Sequence, residues 1–140
     1  MAQTGKIDEA ITHYEQALRI NHDFVEAHGN LGATLVQAGR MPEAIEHLEQ
    51  ALRIKPDLVD AQNNLGIALA QTGKIDEAIA HYEHALRLQP DFAEAQYNLG
   101  LALEKLGRTP EAIAHYQQAL NLRPDFAPAR NALARLQARL

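Results

Sequence analysis

The stretch AQTGKIDEAI, Ala2 to Ile11, recurs letter for letter at Ala70 to Ile79, 68 positions later. Half that step, 34 residues, separates the triplets Asn30-Leu31-Gly32, Asn64-Leu65-Gly66 and Asn98-Leu99-Gly100. The pairs Pro56-Asp57, Pro90-Asp91 and Pro124-Asp125 keep the same grid. A fixed step of this size means a row of stacked supersecondary units, each covering the apolar face of the next. On that grid the chain is one repeat domain over 1–140. It holds a half unit at 1–24, full units at 25–58, 59–92 and 93–126, and a capping helix at 127–140.

Each full unit reads as two helices. Asp23, Asp57 or Asp91 is placed to cap the first, accepting a bond from an unpaired backbone N–H. Glu26, Asp60 or Glu94, three residues on, completes a box-like cap. Ala27, Leu31 and Leu35, with their counterparts Ala61, Leu65, Leu69 and Ala95, Leu99, Leu103, form one apolar stripe. Gly39, Gly73 or Gly107 stops this helix, because glycine takes the left-handed conformation cheaply. The second helix opens on Pro42 or Pro110, where a missing N–H costs nothing, or on Asp8 or Asp76, whose charge suits a helix start. It buries stripes such as Ala44, Ile45, Leu48, Ala51 and Leu52, and it ends before Pro56, Pro90 or Pro124. No strand-like alternation and no heptad appears, so the chain is all-α and not a plain coiled coil.

Composition excludes several functions. Thirteen basic and eighteen acidic residues give a net charge of −5, which argues against nucleic acid as partner. There is no Cys and no Ser, so disulfides, cysteine-zinc sites and the usual nucleophiles are absent. The glycines form no phosphate loop, and the carboxylates are spread by the repeat instead of gathered. His13, His47, His81 and His115 form a ladder, with His84 beside His81, but one His per unit cannot converge on a metal. Glu9, Glu43, Glu77 and Glu111 stand four residues before them, a helix-surface pairing. No enzyme activity, cofactor or metal is therefore expected. The start carries no signal-like apolar run and no stretch is long enough to span a membrane, which places the chain in the cytoplasm by default.

The pattern resembles the tetratricopeptide repeat (TPR) family along the whole chain. Leu31-Gly32, Ala44, Leu48, Ala51 and Pro56 carry the motif in the first full unit. Leu65-Gly66, Ala78, Tyr82, Ala85 and Pro90 carry the second, and Leu99-Gly100, Ala112, Tyr116, Ala119 and Pro124 the third. The family's first aromatic is replaced by His28, Gln62 and Gln96, its second by Leu35, Leu69 and Leu103, and His22 stands where a Pro is usual. These changes predict a more polar outer rim. The resemblance implies a right-handed superhelical solenoid of antiparallel helix pairs, with the first helices lining a concave groove.

That groove is the candidate site. Glu26, Asn30 and Gln37 share one side of the first helix, as do Asp60, Asn64 and Gln71, and Glu94, Asn98 and Lys105. Asn63 and Tyr97 lie at the edge. A row of Asn can pair with the backbone of an extended peptide, because an amide donates and accepts at once. The TPR arm of O-GlcNAc transferases carries Asn at this place for that purpose, and this sequence is similar to it there. The alternative role for the Asn row is to pair between neighbouring helices. The family subset that grips C-terminal carboxylates uses Lys and Arg on these faces, and the corresponding positions here are not basic. The expected function is a non-catalytic scaffold for a protein or peptide. Two other readings stay open: an accessory arm of a larger enzyme such as a glycosyltransferase, and a structural or engineered repeat module without a native ligand.

The two ends differ. The half unit is a second helix without its first, so Ile7, Ile11, Tyr14 and Leu18 are expected to leave an apolar face open to self-association. Arg130, Asn131, Arg135 and Arg139 give the last helix the charged side of a cap.

Overall fold

The computed structural model describes residues 2–139; Met1 and Leu140, at the outer edges of the first and last units, lie outside it. Among the described residues there are eight helices and no strand: α1 (Ala2–Ile20), α2 (Val25–Gln37), α3 (Met41–Ile54), α4 (Val59–Gln71), α5 (Ile75–Leu88), α6 (Ala93–Lys105), α7 (Thr109–Leu122) and α8 (Ala127–Gln137). The tightest pairs are α2 with α3, α4 with α5, and α6 with α7. Each pair also touches the helices before and after it, and α2 meets α4 as α4 meets α6. Packing that reaches only along the row makes an all-α solenoid of antiparallel helix pairs.

The first helices stop as the glycines predict. Gly39, Gly73 and Gly107 take φ of 78°, 86° and 77°. Arg40 N–H donates to the Leu35 carbonyl at 2.9 Å and Gly39 N–H to Val36 at 3.1 Å, the paired bonds of a Schellman ending. Lys74 with Leu69 and Arg108 with Leu103 repeat it. Pro42 and Pro110 lie in the first turns of α3 and α7.

The expected aspartate caps do not form. Phe24, Leu58 and Phe92 occupy the entrances of α2, α4 and α6, and no side chain caps these helices. Asp23, Asp57 and Asp91 stand one residue too early. Phe92 N–H donates to Gln89 at 3.2 Å across Pro90-Asp91, and Phe126 N–H to Arg123 at 3.0 Å across Pro124-Asp125. The Pro-Asp pair is thus the centre of a tight turn, whose second position suits proline. Glu26, Asp60 and Glu94 complete no box, though their charge in the first turn still suits the positive helix end. Asp8 opens no helix, because α1 runs unbroken past it.

Small residues set how closely the helices approach. Gly32 faces Leu48, Gly66 faces Tyr82 and Gly100 faces Tyr116. A Cβ on Gly100 would lie 2.6 Å from the Tyr116 ring, so only glycine admits the ring there. Burial pushes the Tyr82 and Tyr116 hydroxyls well up from the usual phenol range. Tyr116 donates to Glu104 Oε1 at 2.8 Å, and Arg135 grips the same carboxylate at 2.6 and 3.0 Å. The Arg135 bond is the main reason that Glu104 sits below the usual carboxylate range. One side chain thereby ties α6, α7 and α8.

The open face of α1 is narrower than expected. Ile11 and Leu18 are only 5% and 8% exposed and belong to the common core, while Ile7 and Tyr14 are half-buried against it. At the other end Arg130, Asn131, Arg135 and Arg139 are exposed.

Candidate functional site

The N-terminal halves of α2, α4 and α6 enclose a groove of about 500 Å³. Of the expected residues it brings together Glu26, Asn30, Asp60, Asn63, Asn64 and Glu94, over a floor that includes Val25, Leu58, Val59 and Phe92. Gln71, Asn98 and Lys105 line a second hollow of about 200 Å³ with Ile67 and Leu101. Gln37 is separate, beside Lys6, Ile7 and Ala10 of α1. Tyr97 is no edge residue. Its ring packs 5.8 Å from Tyr116 and 5.5 Å from Phe126, centroid to centroid.

The Asn row is not uniform. Asn63 is 4% exposed, not at an edge, and its Oδ1 accepts a bond from Asn98 Nδ2 at 3.0 Å. The bond crosses from α6 to α4 between positions 35 apart. The residue 35 before Asn64 is Gly29, which has no side chain to offer. Asn30 and Asn64 therefore carry no side-chain partner among the described residues, whereas Asn98 joins two helices. Of the two roles foreseen for the row, pairing between neighbouring helices is seen at Asn98 alone.

The polar replacements of the family's first aromatic do not form an outer rim. His28 and Gln62 are 5% and 3% exposed. His81 Nδ1 donates to Gln62 Oε1 and His115 Nδ1 to Gln96 Oε1, both at 2.7 Å. Gln62 Nε2 in turn donates to the Pro56 carbonyl at 3.1 Å. In the first full unit His28 takes the glutamine's place, with Nδ1 3.1 Å from His47 Nδ1 and Nε2 2.7 Å from the His22 carbonyl. A carbonyl only accepts, so His28 carries its proton on Nε2 and its Nδ1 accepts from His47. Burial is the main cause holding His47, His81 and His115 below the usual imidazole range.

The helix-surface pairing of Glu with His is replaced in two units. Glu43 is taken by Arg40 and Glu111 by Arg108, each through two bonds. Among the described residues no group of three or more His, Asp or Glu converges to hold a metal ion. No described helix is long and apolar enough to cross a membrane.

Comparison with known proteins fits this geometry. Tetratricopeptide repeat models match residues 63–130 and 23–91, and a TPR repeat model matches residues 2–39. A search of curated proteins returned no match. Among solved structures the chain is similar to MamA AMB-1, at 30% identity and TM-score 0.77, over 86% of this chain and 71% of that one. It is similar to YrrB, a TPR protein with an unusual peptide-binding site, at 25% identity and TM-score 0.83, over 94% of this chain and 68% of that one. It shares its fold with the first TPR of Spaghetti (RPAP3) bound to the HSP90 peptide SRMEEVD, at 22% identity and TM-score 0.78, over 82% of this chain and 91% of that one.

Proposed function

The chain belongs to the tetratricopeptide repeat family, and from that premise we propose that it is a non-catalytic scaffold holding a peptide or protein segment along the groove of α2, α4 and α6. One observation carries the reading. Asn30 and Asn64 line a concave groove with an apolar floor, and their amides have no side-chain partner among the described residues. Such amides can pair with the backbone of an extended segment without reading its side chains. The peptide-binding site of YrrB supports a groove of this kind. The acidic HSP90 peptide does not carry over, because no Lys or Arg lines this groove. The exposed Ile20, with half-buried Ile7 and Tyr14, supports self-association through α1 as a second contact. A mass that stays monomeric in concentrated solution overturns that contact.

The groove is tested by amide chemical-shift mapping with a mixture of extended peptides. Shifts are expected on α2 and α4, around Asn30 and Asn64. The double variant Asn30→Ala, Asn64→Ala should weaken binding about tenfold or more, as loss of two hydrogen bonds implies, with its helical circular dichroism intact. Shifts confined to α3, α5 and α7 would overturn the reading. Asn98 is unsuitable for this purpose, because its removal also strips Asn63 of its partner.

A further inference from the structure

Resting on that reading of the groove, we propose that the segment it takes is cationic and extended, with a basic residue at every third position. Glu26, Asp60 and Glu94 line the groove from three successive first helices, and no basic side chain lines it with them. Among the described residues Glu26 and Asp60 make no ion pair. Glu94 faces Arg123 at 3.7 Å, a long and solvent-exposed pair that neutralises it only loosely.

The second observation is on the floor. Asn63 is buried to 4% exposure and lines the groove, and its Oδ1 is taken by Asn98. Its Nδ2 has no hydrogen-bond partner among the described residues. No fully enclosed side-chain N or O among the described residues lacks a partner, so this donor is not fully enclosed, and Asn63 is among the residues that line the groove. A segment that covers it must supply an acceptor, since a donor left unmade is costly. A carbonyl of the entering backbone does so. The ligand is thus a polypeptide with cationic side chains, since a bare cation offers Asn63 no acceptor.

The spacing follows from the scaffold. Successive first helices touch, α2 with α4 and α4 with α6, and a step of the order of packed neighbours, roughly 8–10 Å, between equivalent carboxylates is the basis of the proposed spacing. A polyproline II segment turns once per three residues and rises ~3.1 Å per residue, so its every third side chain returns to one face after about 9 Å. A β-strand returns to one face after two residues, roughly 7 Å, and falls out of step.

The test uses the full chain and four peptides of one length: lysine at every third position, the same lysines in one block, and the spaced peptide with glutamine or with glutamate in place of lysine. Binding is read by fluorescence anisotropy at low and at moderate salt. Exposed ion pairs are individually weak, so the spaced lysine peptide should bind about tenfold tighter than the glutamine one in total. That advantage should shrink with salt and vanish in the triple variant Glu26→Gln, Asp60→Asn, Glu94→Gln. Equal affinity for the lysine, glutamine and glutamate peptides overturns the charge preference. If the Asn30→Ala, Asn64→Ala variant abolishes that equal binding, the groove reading survives alone. A lysine advantage that persists in the carboxylate variant also overturns the proposal, because the cations then sit elsewhere. Equal binding by spaced and blocked lysines overturns the spacing. No binding by any peptide overturns both the proposal and the reading beneath it.

Discussion

Ala2–Ile11 and Ala70–Ile79 are the same ten residues in two conformations. The first copy lies within one unbroken helix, α1, whereas the second ends α4, turns and starts α5. Gly73 takes φ of 86°, while Gly5 is not among the glycines with positive φ. The difference lies in what precedes each copy. The turn at Gly73 uses carbonyls of α4: Lys74 N–H donates to Leu69 at 2.9 Å, and Thr72 Oγ1 bonds Ala68 and Leu69 at 3.1 and 3.0 Å. That helix is held against α5 where Gly66 receives Tyr82. Among the described residues no helix precedes α1 to hold such carbonyls in place, and the first copy runs on as helix. A glycine stops a helix only where tertiary packing makes the stop worthwhile.

The comparison can be broken by supplying the missing context. Fusing a copy of residues 59–69 ahead of Ala2 should turn the first copy into the second. Gly5 is expected to move to positive φ, read from its chemical shifts, and Tyr14 to be covered as Tyr82 is. Completing the burial of Tyr14, which is already half-buried, should add roughly 1–2 kcal/mol to the unfolding free energy. Helical shifts persisting at Gly5 would show that the decapeptide, not its neighbour, decides.

A pair of substitutions sharpens the same point. Gly73→Ala forces a side chain into the left-handed region and should cost ~1–2 kcal/mol in denaturant unfolding. Gly5→Ala, with nothing within 4 Å of its new Cβ, should instead stabilise by roughly 0.5–1 kcal/mol. One substitution in one decapeptide thus takes opposite signs. On the fused chain the Gly5 effect should reverse.

The smallest effect compares the buried histidine pairs. The folded state lowers the affinity of His47, His81 and His115 for protons, so below about pH 6.5 the unfolded chain binds more of them. Their contribution to stability is complete above that pH and is lost as pH falls towards the lowered values. His81 and His115 keep their Nδ1–H bonds to glutamine when a proton joins the far nitrogen. In the first full unit the partner is a second imidazole, His28, which adds to the depression of His47. Glu15, Glu43 and Glu46 face His47 and oppose its depression, while Arg19 and His22 lie in the same cleft. The variant His28→Gln should remove less than about 1 kcal/mol of acid sensitivity, measured as the difference in unfolding midpoint between pH 7 and pH 5. An unchanged difference would set the His28–His47 contact aside as its source.

Much of the fold is legible because the 34-residue step is written in packing residues. Leu31-Gly32 and its copies, the glycine stops and the prolines all mark places where sterics permit few side chains. The Asp caps mislead because residue type alone favours Asp at a helix entrance. Here the Asp falls inside a tight turn, after a proline at Asp57 and Asp91 and after His22 at Asp23, where Phe24 N–H donates to Asn21, and the entrance falls to Phe24, Leu58 or Phe92. The His–Gln bonds escape the helix-surface rule, which looks four residues along one helix. These bonds cross between two helices at an offset of 19, visible only when positions 28, 62 and 96 are set against 47, 81 and 115. The Asn row shows the same limit. Asn30, Asn64 and Asn98 are equivalents in sequence, yet Asn98 is occupied because the previous unit offers Asn63, and Asn64 is spared because its own previous unit offers Gly29.

Glu104, held by both Tyr116 and Arg135, gives the molecule a direction. In a row where each unit steadies only its neighbours, disorder starts at the end with fewer fastenings. Among the described helices α1 packs mainly on α2 and has no such clasp, whereas α8 packs on α7 and is also tied to α6 through Glu104. Loosening therefore advances from α1 into α2, while α6, α7 and α8 remain clasped. A segment lying across the groove would lose its hold at Asn30 first and at Asn64 later. It would peel away from one end, much as a zip opens.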